Sequence, residues 1–436
     1  MATSTPTPDA TGTLAAPAPG PVPSRGQAAP SRPRHFPCFD GLRAIAALSV
    51  LALHSAWQSG FTLHSPLGVY TSRLDIGVSV FFLISGFLLY RPFAASHLSG
   101  REAPSAGRFY LRRLLRIIPA YWLALTLLTY VLHVVTLSGW QGAVSHYGFA
   151  QIYIPTQIFT GIGPSWSLCT EMSFYLFVPL YAAVVAGGER DPGRMVRREL
   201  VGLGTLVAVS FGFRAWALNQ PGCTHDCFAH PTLTSTMADW LPSYFDLFAL
   251  GMLLAVVSSW FVLTDAEPAW ARHRAFPWVS WAAAAATFVV VSNLGIDRNV
   301  ISIIPPGLDI ARQTLYGVFA FFLLLPAVFG EQDHGAIRQL LRSWPLASIG
   351  VVSYGVYLWH QGWITQWMRW TDTVDLHGSF VALLVPVLAL SLFSAAGSYF
   401  VVERPLLRLK DHLSWWRRPR AGADLGGRPA LHARDA

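Results

Sequence analysis

The chain alternates long apolar runs with short polar connections, ten times over. The runs fall at about 39–57, 76–94, 117–137, 165–186, 199–218, 241–262, 276–294, 311–329, 346–369 and 379–401. Each is close to the ~20 residues that a helix needs to cross a bilayer's hydrocarbon core. The pattern predicts an all-α protein, a polytopic integral membrane bundle of about ten transmembrane helices. The first run, FDGLRAIAALSVLALHSAW, holds one Arg and one His inside its apolar stretch. Both groups are expensive among lipid tails, so they are expected to face a protein interior or a wet cavity, and they are functional candidates. Arg43 and His54 are eleven positions apart. At about 100° and 1.5 Å per residue they share a face to within roughly 20° and stand about 16 Å apart along the axis.

The polar connections carry an orientation. Arg25, Arg32 and Arg34 precede the first run, and the even-numbered connections are the basic ones. The second holds Arg91, Arg101, Arg108, Arg112, Arg113 and Arg116, and the fourth holds Arg190, Arg194, Arg197 and Arg198. Arg272 and Arg274 lie in the sixth, Arg338 and Arg342 in the eighth, and the tail from Arg404 onward is basic again. By the same division the outer connections hold only Arg73, Arg298 and Arg369. Cytoplasmic loops concentrate Arg and Lys, so N- and C-termini are both expected in the cytoplasm. The expected location is the plasma membrane, as a multi-pass protein.

Composition agrees with that reading. Of 436 residues 53% are hydrophobic and 12% charged, against about 25% charged in soluble domains. The net charge of +8 resides in helix-flanking clusters rather than in one basic surface, so nucleic acid is excluded as a partner and the lipid bilayer is the partner indicated. Residues 1–37, rich in Pro, Ala, Ser and Thr, read as a disordered cytoplasmic tail without a cleavable signal. Residues 38–405 read as the membrane domain, and 406–436 as a second disordered tail, too short and polar to bury a core.

Cys223 and Cys227, in CTHDC, fall in the third outer connection, where a disulfide would persist. Free thiols and a zinc site with His225 and His230 are the alternatives, although the spacing matches no strong zinc pattern. No metal is assigned. Cys38 and Cys169 read as packing residues.

Several separated stretches agree with one family. An Arg and a His with ten residues between them occupy the first run, as Arg43 and His54. GVSVFFLISGFLLY follows in the second, RFYLRRLLRIIPAYW enters the third, and PSWSLCTEMSFYLFVPL opens the fourth. LPSYFDLFALGMLLA, SYGVYLWH and VERP come in the sixth, in the ninth and after the tenth. Together they resemble the acyltransferase 3 family of membrane O-acyltransferases, in the family's order, over about residues 39–405. In one departure, many members carry Asp or another polar residue in the second helix where this chain has Ser79, and no role is assigned to the nearby Asp75. Some members also carry a fused esterase-like domain, which this chain lacks.

The resemblance implies transfer of an acyl group from cytoplasmic acyl-CoA, with acetyl-CoA the expected donor, to a hydroxyl of a glycan or glycosylated small molecule. No permanently bound cofactor is implied. The residues support such chemistry on their own terms. Removing a hydroxyl proton needs a base near its working pKa, for which imidazole is the usual group. His54, near the outer end of its helix, is the candidate base. CoA phosphates need cations at the cytoplasmic mouth, and Arg113 and Arg116, three apart, share a helix face and suit bidentate phosphate contact. Arg43, deeper, would meet the inner phosphates or the pantetheine arm, whose length is similar to the rise from Arg43 to His54. Arg108 and Arg112 read as ordinary flanking charges.

Glu171, an isolated carboxylate two turns into the fourth run, either assists His54, binds acceptor, or pairs structurally with an Arg such as Arg214. Trp166 is an interfacial anchor or a sugar-stacking platform. His360 and Asp246 are substrate-binding candidates, each with a structural alternative. Ser85 and Gly86 read as close-packing residues. The competing function is a proton-coupled transporter of a small polar substrate, because intramembrane His, Glu and Arg also build proton relays. It would carry inverted repeats, and the ten segments show no such symmetry.

Overall fold

The computed structural model describes residues 36–220, 231–299 and 302–408. The expectations for residues 1–35, for Cys223, His225, Cys227 and His230, and for residues 409–436 fall outside the described residues. All the regular elements described are helices. Ten are long: α1 (Cys38–Gln58), α2 (Ile76–Ser99), α3 (Ala106–Tyr130), α4 (Trp166–Ala186), α5 (Pro192–Leu218), α6 (Phe245–Thr264), α7 (Phe276–Ser292), α8 (Pro306–Val328), α9 (Trp344–Trp370) and α10 (Phe380–Ser398). They correspond one to one with the ten apolar runs. Seven spans among the described residues, all but α3, α7 and α9, are long and apolar enough to cross a membrane. The protein is a multi-pass membrane protein.

The largest departures from the expected boundaries are in α3 and α5. α3 begins at Ala106, about three turns before the apolar run expected at 117, and stops at Tyr130. Its first turns are amphipathic and rich in Arg, so hydropathy assigned them to the loop. Residues 131–137, although apolar, leave the helix, and His133 has a positive φ of 52°. α5 begins at Pro192 instead of 199. Asp191 caps it by accepting the backbone N–H of Arg194, and Pro192 stands at its first position, where a missing N–H costs nothing.

Close helix packing holds the bundle together. α2 lies against α6, and α1 lies against α9, which in turn packs on α10. At the α2–α6 contact two glycines face opposite backbones. A Cβ on Gly86 would come within 2.3 Å of the Phe248 carbonyl oxygen, and one on Gly251 within 2.1 Å of that of Leu83. The backbones therefore approach as only small residues permit. Phe248 stacks on Phe82 and Phe174, with centroids 4.7 Å and 3.8 Å away, filling the space beside this contact. Gly41 and Gly350 make the equivalent approach, Gly41 to Leu341 before α9 and Gly350 to Asp40 of α1.

Candidate active site

Two cavities stack along the helix axes. The narrower, of about 90 Å³, is lined by Arg43, Arg113, Arg116, Ser85, Glu171 and Tyr354 among others. The wider, of about 610 Å³, is lined by His54, Trp57, Asp75, Trp166, Arg312 and Gln361 among others. Four helices reach both, in consistent directions. α1 runs from Arg43 to His54, α9 from Ser353 to Thr365, while α2 and α4, pointing the other way, pass from Leu88 to Val78 and from Tyr175 to Trp166. One cavity thus lies toward the Arg-rich helix ends and the other toward the opposite ends.

The narrow cavity is cationic at its mouth. Arg43 pairs with Asp40 at 3.2 Å. Arg113 and Arg116 are half-buried, and among the described residues neither has a carboxylate within ion-pair distance; the Nε of Arg113 is buried without a hydrogen-bond partner. Half-buried guanidinium groups that no carboxylate contacts are costly, and an anion entering the cavity would relieve that cost. Arg108 and Arg112 are exposed. Glu171 is in this cavity, not in the one that holds His54, and its carboxylate accepts the Ser85 hydroxyl. It is not paired with Arg214, whose guanidinium binds Asp309 at 2.7 Å.

The wide cavity holds the imidazole. Nδ1 of His54 lies 2.9 Å from the Val50 carbonyl oxygen and 3.1 Å from Nε2 of His360. Nδ1 of His360 lies 2.8 Å from the Tyr357 carbonyl oxygen and 3.3 Å from that of Val356. Carbonyls only accept, so the network assigns the His360 proton to Nδ1 and leaves Nε2 as an acceptor. His54 must then donate from Nδ1, which leaves the lone pair on its own Nε2. Among the described residues that Nε2 has no hydrogen-bond partner, and His54 is half-buried on the cavity wall. The chain from Tyr357 through His360 to His54 fixes one tautomer and directs a bare nitrogen at the cavity.

The remaining sequence candidates separate. Trp166 packs against Phe82 and Tyr244 with centroids 6.5 Å and 5.6 Å away, and presents part of its ring to the wide cavity. Asp246 lines neither cavity. It is buried and accepts hydrogen bonds from Ser210 at 2.9 Å and Gln313 at 3.0 Å, joining α6 to α5 and α8. His360 is fully buried behind His54 instead of exposed to acceptor.

Sequence reasoning left Asp75 without a role. It stands at the N-cap of α2, lines the wide cavity, accepts the Tyr316 hydroxyl and lies 3.8 Å from Arg312. The readable signal was an acidic residue directly before the second apolar run. Gln361 also escaped notice; its Oε1 is buried on the same cavity without a partner. Among the described residues there is no cluster of three or more metal-ligating side chains.

The profile of a family described as an acyltransferase domain matches residues 36–401. The acyltransferase MdmB of Streptomyces mycarofaciens is 28% identical over 90% of this chain and 96% of its own length. Nodulation protein 10 of Rhizobium leguminosarum bv. viciae is 26% identical over 86% and 94%. The peptidoglycan O-acetyltransferase OatA of Listeria monocytogenes is 27% identical over 76% of this chain and 50% of its own length. No solved structure matches. With a profile covering most of the chain, a helical bundle of membrane-crossing length and a cationic cavity aligned with an imidazole, the chain belongs to the acyltransferase 3 family and is a multi-pass membrane acyltransferase.

Proposed function

We propose that the protein is an O-acyltransferase that takes an acyl group, acetyl in the simplest case, from cytoplasmic acyl-CoA. The acceptor is a hydroxyl of a glycan or glycosylated metabolite, reached from the far side of the plasma membrane. Residues 38–405 form the membrane domain, all ten long helices cross the bilayer, and both termini are cytoplasmic. The basic even-numbered connections support that orientation. So does the OatA relative, whose name gives peptidoglycan as its acceptor.

The observation that carries this reading is the alignment of cations and base through one bundle. The CoA phosphates rest on Arg113 and Arg116, the pantetheine arm passes Arg43 along the narrow cavity, and the thioester reaches the wide cavity. There Nε2 of His54 removes the acceptor's hydroxyl proton as the oxygen attacks the thioester carbon. The tetrahedral intermediate collapses, the C–S bond breaks, and the leaving thiolate takes the proton back from the imidazolium. His360 holds His54 in its working tautomer. Trp166, Gln361 and Asp75 line the space the acceptor would occupy, which suits a polyhydroxylated ring. Glu171 and Ser85 border the arm of the donor.

The test is CoA release by the purified protein in lipid nanodiscs supplied with acetyl-CoA and a panel of glycan acceptors. Acceptor-stimulated thiol release, lowered about 10²–10⁴-fold in His54→Ala as expected for loss of a general base, supports the reading. Release unaffected by His54→Ala removes His54 from the chemistry.

A further inference from the structure

We propose that Val78 and Tyr357 form a filter between the two cavities that admits acyl groups by cross-section, and so excludes donors branched next to the thioester. This rests on the acyl-CoA reading above. Val78 and Tyr357 are the two residues that line both cavities. The route we assign to an acyl group held on its carrier in the narrow space therefore runs between them, toward His54.

Both walls are stiff. The Tyr357 hydroxyl lies 2.9 Å from the Pro164 carbonyl oxygen and 2.7 Å from the Ser167 hydroxyl, so its ring is tied at the tip to the start of α4. Phe81 meets that ring edge-on with centroids 6.1 Å apart, and the His360 imidazole lies 5.7 Å away. Swinging the phenol aside would break its tethers and disturb the residue that orients the base. Val78 stands on α2 with its side chain partly open to the cavities. A β-branched residue in a helix has essentially one rotamer, so it cannot fold away as a Met or Leu would.

A rigid gap of this kind discriminates by width. Straight acyl chains share one cross-section whatever their length, and the 610 Å³ cavity beyond has room for the chain end. A methyl branch beside the carbonyl widens the group at the point that must sit in the gap. Acetyl, propionyl and butyryl groups therefore pass alike, whereas isobutyryl and benzoyl groups are held back.

The experiment compares CoA release from butyryl-CoA and isobutyryl-CoA, isomers of equal size, by the full-length protein in nanodiscs, with water or a glycan mixture as acceptor. The readout is the isobutyryl-to-butyryl ratio of kcat/KM within each variant, so a general loss of activity cancels. A misplaced methyl is worth about 10–200-fold in a fitted pocket. The ratio is expected to be low in the parent, to rise about tenfold or more in Val78→Ala, to rise in Tyr357→Phe, and to fall further in Val78→Ile. Should Val78→Ala fail to fold, Val78→Ile and Tyr357→Phe carry the comparison. A ratio constant within twofold across parent and variants overturns the filter. Absence of CoA release from acetyl-CoA itself overturns the donor reading instead, and the filter with it.

Discussion

On the proposed mechanism, replacing His360 separates a residue that orients the base from the base itself. In the site, His54 Nδ1 has two acceptors, the Val50 carbonyl oxygen at 2.9 Å and His360 Nε2 at 3.1 Å. Removing His360 leaves the carbonyl in place, so the tautomer is weakened rather than inverted. The loss should be that of one net hydrogen bond, about 0.5–1.5 kcal/mol, or roughly two- to twelvefold in kcat at 1.4 kcal/mol per decade. His360→Leu is therefore expected to lower kcat by up to about twelvefold, with little change in KM for acyl-CoA. In His360→Gln the side-chain carbonyl oxygen can take the place of Nε2 as acceptor, and activity should return to within about threefold of the parent. The assay is acceptor-dependent CoA release at saturating acyl-CoA, with His54→Ala alongside. A His360→Leu loss as large as that of His54→Ala, not rescued by Gln, would refute the assignment and make His360 a direct proton carrier.

Three further outcomes follow from the geometry. Arg113→Ala and Arg116→Ala should each raise KM for acyl-CoA about 10–100-fold, the range expected for hydrogen bonds to a charged group, with kcat less affected; binding of free CoA by calorimetry checks this without turnover. Gly86→Ala places a Cβ 2.3 Å from the Phe248 carbonyl oxygen, so the α2–α6 contact must open, at about 1–3 kcal/mol, seen as a lower thermal midpoint in detergent; an unchanged midpoint contradicts the close approach. His146, in the short helix Gly139–Tyr147 between α3 and α4, is fully buried, and burial pushes its pKa down to about 4 from about 6.5 in an open chain. Its neutral form belongs to the folded state, so its contribution is complete above pH 6.5 and is lost progressively as pH falls toward 4. Protection factors in residues 139–165, with the intrinsic pH dependence of exchange divided out, should therefore fall over that window in the parent and not in His146→Gln.

Legibility followed the range of the signal. The ten helices were written in local hydropathy, and Arg43 and His54 stood out because a single helix placed both on one face. α3 was mislocated because the residues that begin it, including Arg108, Arg112 and Arg113, look like loop to a hydropathy count, yet they are what puts Arg113 and Arg116 on the cavity. The His54–His360 contact joins positions 306 apart, a separation no periodicity reports. Asp246 was singled out for being a carboxylate in an apolar run, and its partners Ser210 and Gln313 lie on helices whose packing only the fold reveals. Glu171 was associated with the base although its neighbours are the arginines, because sequence gives its depth along α4 and not the cavity its face meets.

The central claim is that a thioester carrier held by arginines at one end of the bundle meets His54 at the other. An electron cryo-microscopy structure with a non-hydrolysable ketone analogue of acetyl-CoA tests it most directly. The phosphates are expected within hydrogen-bonding distance of Arg113 and Arg116, the arm beside Arg43, and the ketone in the wide cavity just beyond Val78 and Tyr357, facing Nε2 of His54. An analogue whose phosphates lie away from those arginines, or whose ketone is walled off from His54, would contradict it.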